Sequence, residues 1–348
     1  MIRILCLHIA SHRPSYRYRV GQFLPHWSEH EIQVDTICVS GRDAPVNIVR
    51  SLSLCGEYDY IWIQRKIFPA FLVWMLSGKS KLIFDFDDAI YTKQVMLSNR
   101  AGQESRLKLR WIAYTLSKAS LVFAGSHDLK VYAERYSPNV HLVPTSYGIP
   151  HERYSNKQYS QTITIGWIGT NSNHYFLGII DEALSTLKKA HPAVRFSIMT
   201  GRRPEKLDTP WELAGWSPEA EQQWLSEIDI GIMPLTDDEW SRGKCAFKLL
   251  QYMAYGKPVV ASNVGANKSV ITDRVNGFLV DDSAGWVEAL EELISDAALR
   301  RKMGEESRTV FSEHFDRKVV QKRIADLIRN DFRGRYDDTS LPCNLLKV

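Results

Sequence analysis

The residues best suited to chemistry in this 348-residue chain are two cations, Lys244 and Lys248, and a carboxylate cluster, Asp85, Asp87 and Asp88. Lys248 and Gln251 lie three apart in a segment, Phe247–Ala254, that reads as a helix stopped by Gly256, so they share a face, while Lys244 sits in the preceding loop. Cations at a helix N-terminus oppose the macrodipole, and a bound anion relieves that conflict. Phe84-Asp-Phe-Asp-Asp-Ala89 ends a buried strand, which should turn at least one carboxylate toward a cleft between domains. There Asp87 or Asp88 would orient a reacting hydroxyl, act as a base, or simply cap the next helix.

Two further cationic clusters stand out. Arg17 and Arg19, with Arg13 nearby, place guanidiniums near a helix start, where they suit bidentate phosphate contacts or pairing with surface carboxylates. Arg106, Lys108 and Arg110 alternate with Leu107, Leu109 and Trp111, a pattern that fits an anionic membrane surface or an ordinary solvated helix face. His8 ends an apolar run and reads as a core histidine.

The elements that hold these residues follow from periodicity. Short apolar runs at Ile2–His8, Ile32–Val39, Tyr60–Gln64, Lys81–Phe86, Leu121–Ala124 and His141–Val143 alternate with amphipathic stretches, including Arg17–Trp27, Ala70–Leu76 and Gln103–Ser117. After a polar stretch at His151–Thr162 the cycle restarts, with strands expected at Ile163–Ile168, Val194–Met199, Trp211–Ala214, Ile228–Met233, Pro258–Ala261 and Gly277–Val280. Ala284–Phe311 reads as two helices and Arg317–Phe332 as a last long one. This is an α/β chain of two doubly wound, Rossmann-like parallel-sheet domains. The expected boundaries are 1–155 and 162–312, with a helix at 313–332 packing back on the first domain and a tail at 333–348.

Composition narrows the function. A net charge of +4, with no basic stretch interleaved with aromatics, argues against nucleic acid. No apolar run approaches the ~20 residues of a membrane span. Five scattered cysteines without CxxC spacing suggest a reducing cytoplasm. GxSxG and GxxxxGK[ST] signatures are absent.

Gln251-Tyr-Met-Ala-Tyr-Gly-Lys-Pro-Val-Val260 resembles the signature of the family 4 retaining glycosyltransferases of GT-B fold. In that signature two glutamates eight positions apart lead into Ala-Met-Ala-x-Gly-x-Pro-Val-Val. Here the glutamate positions hold Gly243 and Gln251. Ile165-Gly-Trp-Ile-Gly-Thr170, Thr200-Gly-Arg-Arg203, Trp211-Glu-Leu-Ala-Gly-Trp216, Ile228-Asp-Ile-Gly-Ile-Met-Pro-Leu235 and Asn276-Gly-Phe-Leu-Val280 follow in the family's order. Ser15-Tyr-Arg-Tyr-Arg19 and the Asp-x-Asp-Asp segment resemble a subset of these enzymes.

The resemblance implies two domains facing across a cleft and transfer of a sugar from a nucleoside diphosphate to a hydroxyl, with retention and without a divalent metal. A metal held by the Asp-x-Asp segment, as in GT-A enzymes, is the alternative. It implies that Lys248 and Lys244 stabilise the leaving diphosphate, assisted by amides of Gly169 and Thr170 and by Arg202 or Arg203. Gln251 would take the ribose hydroxyls, Trp216 or Trp167 would stack on the base, and Arg17 and Arg19 would meet a lipid-linked or glycan acceptor. The expected setting is the cytoplasm or the inner face of the membrane. A silent nucleotide-sugar-binding protein, an epimerase and an inverting transferase are the competing readings.

Overall fold

The computed structural model describes residues 1–93, 105–149 and 162–334. Among these residues two compact units separate: the first holds those within Met1–Gly148, Arg242–Cys245 and 317–334, and the second holds Ile149, 162–241 and 246–316. Most of the expected linker, the start of the expected Gln103–Ser117 helix and most of the tail lie outside the described residues.

In the first unit β1 (Ile2–His8), β2 (Ile32–Cys38), β3 (Tyr60–Gln64), β4 (Lys81–Phe86), β5 (Leu121–Ala124) and β6 (Val140–Leu142) form one sheet, ordered β2-β1-β3-β4-β5-β6. Every pairing is parallel. Its helices are α1 (Pro14–Arg19), α2 (Ala44–Leu54), α3 (Ala70–Ser77), α4 (Arg106–Lys118) and α5 (His127–Glu134). The continuous helix expected over Arg17–Trp27 is broken: α1 stops at Arg19, and Gly21–His30 coils as 3₁₀ turns around Pro25. Pro25 has no N–H to donate and crowds the preceding turn, so an α-helix cannot pass through it.

The second unit contains β7 (Thr164–Ile168), β8 (Arg195–Met199), β9 (Trp211–Ala214), β10 (Ile230–Met233), β11 (Val259–Ser262) and β12 (Gly277–Val280), ordered β12-β11-β10-β7-β8-β9. Its helices are α6 (Asp181–Ala190), α7 (Pro218–Glu227), α8 (Glu239–Arg242), α9 (Phe247–Ala254), α10 (Asn267–Val270), α11 (Ser283–Ser295) and α12 (Ala297–His314). Side-chain caps start several of them; the Ser217 hydroxyl, for example, accepts from the Ala220 N–H at 3.1 Å to open α7.

The last helix, α13 (Arg317–Phe332), belongs to the first unit. Its Val320, Ile324 and Ile328 join Trp27, Tyr60, Trp62 and Phe123 in one core cluster. The Tyr60 hydroxyl donates to Asp331 at 2.6 Å, tying the helix to β3.

Each sheet reverses direction once, between β1 and β3 in the first unit and between β7 and β10 in the second. At such a switch point the loops part to opposite faces and leave a crevice beyond the strand ends. Candidate side chains gather beside both.

Candidate functional site

In the second unit β7 and β10 pair only through Ile165↔Ile230 and Gly166↔Gly231. Past that point Tyr252 of α9 fills the gap: its hydroxyl accepts from the Ile168 N–H at 3.0 Å and donates to the Ile232 carbonyl at 3.4 Å. The ring needs a side-chain-free neighbour, since a methyl on Gly231 would come within 2.3 Å of it. The tie fixes α9, and with it Lys248 and Gln251, at the switch point.

Lys248 lies against the turn that follows β7. Its amino group sits 5.4 Å from the Trp167 ring centroid. A methyl on Gly169 would come within 3.0 Å of the Lys248 Cε and 2.5 Å of the Trp167 ring. The Gly169 N–H, however, donates to the Met199 carbonyl at 3.0 Å, so this amide, expected at the diphosphate, is consumed by the sheet edge. What Gly169 contributes is space for the lysine.

Thr170 and the Thr200–Arg203 loop adjoin each other. Asn171 Oδ1 accepts from the Thr200 hydroxyl at 3.0 Å and from the Arg202 N–H at 3.1 Å. Having spent its proton, the Thr200 hydroxyl accepts from His174 Nε2 at 2.9 Å, which assigns the imidazole proton to that nitrogen. Burial and then Arg202 lower the His174 pKa, keeping the ring neutral. Arg202 and Arg203 are exposed; Arg202 also reaches Glu205 at 3.4 Å.

Gln251 departs from expectation. It is buried, and its amide nitrogen donates to Glu221 Oε1 at 2.9 Å. Glu221 Oε2 accepts from the Trp216 indole N–H at 2.6 Å. One N–H of the amide is thus committed to a buried carboxylate, while the Trp216 ring, 47% exposed, is the member of the trio that faces outward. Sequence reasoning missed Glu221, although its signal is visible: Glu221, Trp224 and Leu225 form the buried i, i+3, i+4 stripe of α7, an acid where an apolar residue belongs.

In the first unit the acidic segment is matched by arginines. Asp85 is fully buried and accepts from Arg19 Nε at 2.8 Å and Nη2 at 2.5 Å, while Arg19 Nη1 donates to the Val143 carbonyl at 3.0 Å. Burial works against the Arg19 charge, but Asp85 holds it protonated. Arg19 therefore faces the interior, which corrects its expected acceptor contact; Arg17 stays half-buried, with its guanidinium 5.0 Å from the Tyr18 ring centroid.

Asp88 meets Arg65 at 2.5 Å and Asp87 meets the same guanidinium at 3.8 Å. Arg65 follows β3 at the switch point in a left-handed conformation, φ 60°, a strain that holds its side chain toward the acids. Burial pushes the Asp87 carboxyl up to about 6, against the pull of Arg65. Sequence reasoning did not single out Arg65.

The segment Arg242–Cys245, which includes the half-buried Lys244, packs with these acids in the first unit. The Cys245 thiol donates to the Asp87 carbonyl at 3.0 Å. Any side chain at Gly243 would collide with Ala89, since a Cβ there would lie 2.5 Å from the alanine methyl. A glutamate at position 243 would therefore not fit unless Ala89 moved.

Comparisons with known proteins bear on the fold. The family model described as Glycosyl transferases group 1 matches residues 162–296. A D-inositol 3-phosphate glycosyltransferase from Paenarthrobacter aurescens is 35% identical over 83 residues, 23% of this chain and 19% of that protein. The lipopolysaccharide core biosynthesis glycosyltransferase LpsE of Rhizobium meliloti is 24% identical over 117 residues, 33% of each. The matched stretches thus span a third or less of these relatives.

Among solved structures, Anabaena HepE in complex with UDP and glucose superposes with a TM-score of 0.70 at 16% identity, covering 94% of this chain and 100% of that one. Sucrose-phosphate synthase from Thermosynechococcus elongatus gives 0.69 at 14% identity, covering 96% and 100%. The chain therefore has a GT-B-like fold of two parallel-sheet units, and its second unit carries the region that matches the group 1 glycosyl transferases.

Proposed function

We propose that this chain is a glycosyltransferase that moves a sugar from a nucleoside diphosphate to an acceptor hydroxyl, on a glycan or a lipid-linked carrier. The observation that carries the reading is Lys248, fixed by the Tyr252 tie and set against Gly169 and Trp167 at the β7/β10 switch point. An amine held beside a glycine turn meets the charge that builds on a departing diphosphate. Thr170, Arg202 and Arg203 line the same turn region, and Lys244 is a second candidate cation. The exposed Trp216 ring, steadied by Glu221 and Gln251, stacks on the nucleobase.

With lysine and arginines countering the diphosphate, transfer needs no divalent metal. Retention follows if the acceptor attacks from the leaving-group face and the phosphate takes its proton. Asp87, with a carboxyl that titrates near 6, then orients the acceptor or assists as base. A second reading rests on Gly243, which supplies no side chain to a donor sugar: a protein that binds the nucleotide sugar without transferring it. Incubation with UDP-, GDP-, ADP- and TDP-sugars separates the two. Nucleotide release, slow alone and faster with an acceptor, supports transfer, and the product anomer by NMR reads retention or inversion. Binding of a sugar nucleotide without any release favours the second reading.

A further inference from the structure

Three consecutive helices of the first unit, α2, α3 and α4, contain no aspartate or glutamate, whereas α6, α7, α11 and α12 of the second unit each carry at least two. The same three helices expose large apolar side chains. On α3, Val73 and Leu76 point into the core while Phe71 (62% exposed), Trp74 (64%) and Met75 face outward. On α2, Val46 and Val49 are exposed, and on α4, Leu107.

The helices are neighbours. Ile48 and Leu52 of α2 and Leu72 and Leu76 of α3 line one small apolar cavity, and α3 packs on α4. Arg50, Arg106, Lys108 and Arg110 are exposed on the same helices.

Isolated exposed apolar residues are ordinary, but a cluster of them across adjacent helices marks a contact surface. We propose that this α2–α4 face docks on an anionic lipid bilayer. Tryptophan inserts at the headgroup boundary with its indole N–H toward water, and phenylalanine enters the apolar side of that boundary. The cations gain from a negative leaflet, roughly fivefold in affinity for each Lys or Arg brought to the surface, and no carboxylate on these helices opposes them. Among the described residues no helix is long and apolar enough to cross a membrane, so the contact is peripheral. It stands whether or not the chain transfers sugars.

Sedimentation of the full chain with vesicles of phosphatidylcholine, alone or mixed with phosphatidylglycerol, tests this. The wild type should pellet with the mixed vesicles and not with phosphatidylcholine alone, and salt should weaken the binding. Phe71→Ser/Trp74→Ser and Arg106→Glu/Lys108→Glu alter exposed positions, and an unchanged Tm checks that each variant is folded. Each should bind the mixed vesicles at least about tenfold more weakly. The proposal is overturned if the wild type stays in the supernatant with mixed vesicles, or if either folded variant pellets as the wild type does. Self-association of the wild type that Phe71→Ser/Trp74→Ser abolishes, without vesicle binding, would also overturn it by making the face a protein interface.

Discussion

At the end of β4 the first unit turns three carboxylates toward two guanidiniums, whereas beyond β7 the second unit gathers Lys248 and two exposed arginines around a glycine turn. In the first region the charges answer one another: Arg19 closes on Asp85, and Arg65 on Asp87 and Asp88. In the second, the exposed Arg202 meets Glu205, while the buried carboxylate Glu221 accepts from an amide and an indole. Charged clusters at the carboxyl ends of strands in two parallel sheets thus differ in kind. One is a set of buried and half-buried ion pairs, and the other lies at an exposed glycine turn, where the proposed function puts the donor diphosphate.

The comparison breaks most sharply at Arg19. If the Arg19–Asp85 pair is framework, Arg19→Ala should cost about 3–5 kcal/mol by leaving Asp85 buried and unpaired, whereas Arg17→Ala should stay within about 0.5 kcal/mol. Denaturant midpoints measure both, and similar small losses would return Arg19 to a ligand role. Next in size is Gly243→Ala, whose methyl would overlap that of Ala89; overpacking of this kind costs about 1–3 kcal/mol. A Gly243→Glu variant that is as stable as wild type would show that the missing glutamate has another cause.

The smallest effect concerns pH. Asp87 has a folded pKa raised to about 6 from an ordinary 3.8, so its contribution to stability is present below the unfolded value and lost as pH rises through about 6. Asp87→Asn should therefore gain stability relative to wild type as pH rises from about 4 to about 7, and equal it near pH 3.5. A difference that does not change with pH would mean that Asp87 titrates as an ordinary surface acid.

Much of the fold was legible because both sheets are parallel and covered on two faces. Their strands therefore read as continuous apolar runs, and β5 and β9 fall on the expected residues. The stop of α9 near Gly256 was legible from helix-end chemistry, and Gly256 indeed has a positive φ of 63°. The break after Arg19 was not, because the amphipathic pattern runs on through Pro25 and outweighed the proline.

The site was legible by residue type and less so by direction. Arg17 and Arg19 differ by two positions on one short helix, and only tertiary contacts decide that Arg19 turns inward. Gln251 stands where a family pattern places a ligand contact, yet its partner Glu221 comes from another helix thirty positions away. The hydroxyl tie of Tyr252 depends on the gap where β7 and β10 part. Pairings of this kind are set by the packing of distant segments and leave no periodic trace.

The most direct test of the account is calorimetric titration of UDP, GDP, ADP and TDP into the wild type and Lys248→Ala. The account predicts that at least one diphosphate binds the wild type and binds Lys248→Ala at least about tenfold more weakly, the loss of one charge-assisted contact, with Tm unchanged between the free proteins. Equal affinity in the two proteins, or no diphosphate bound by the wild type, would contradict it.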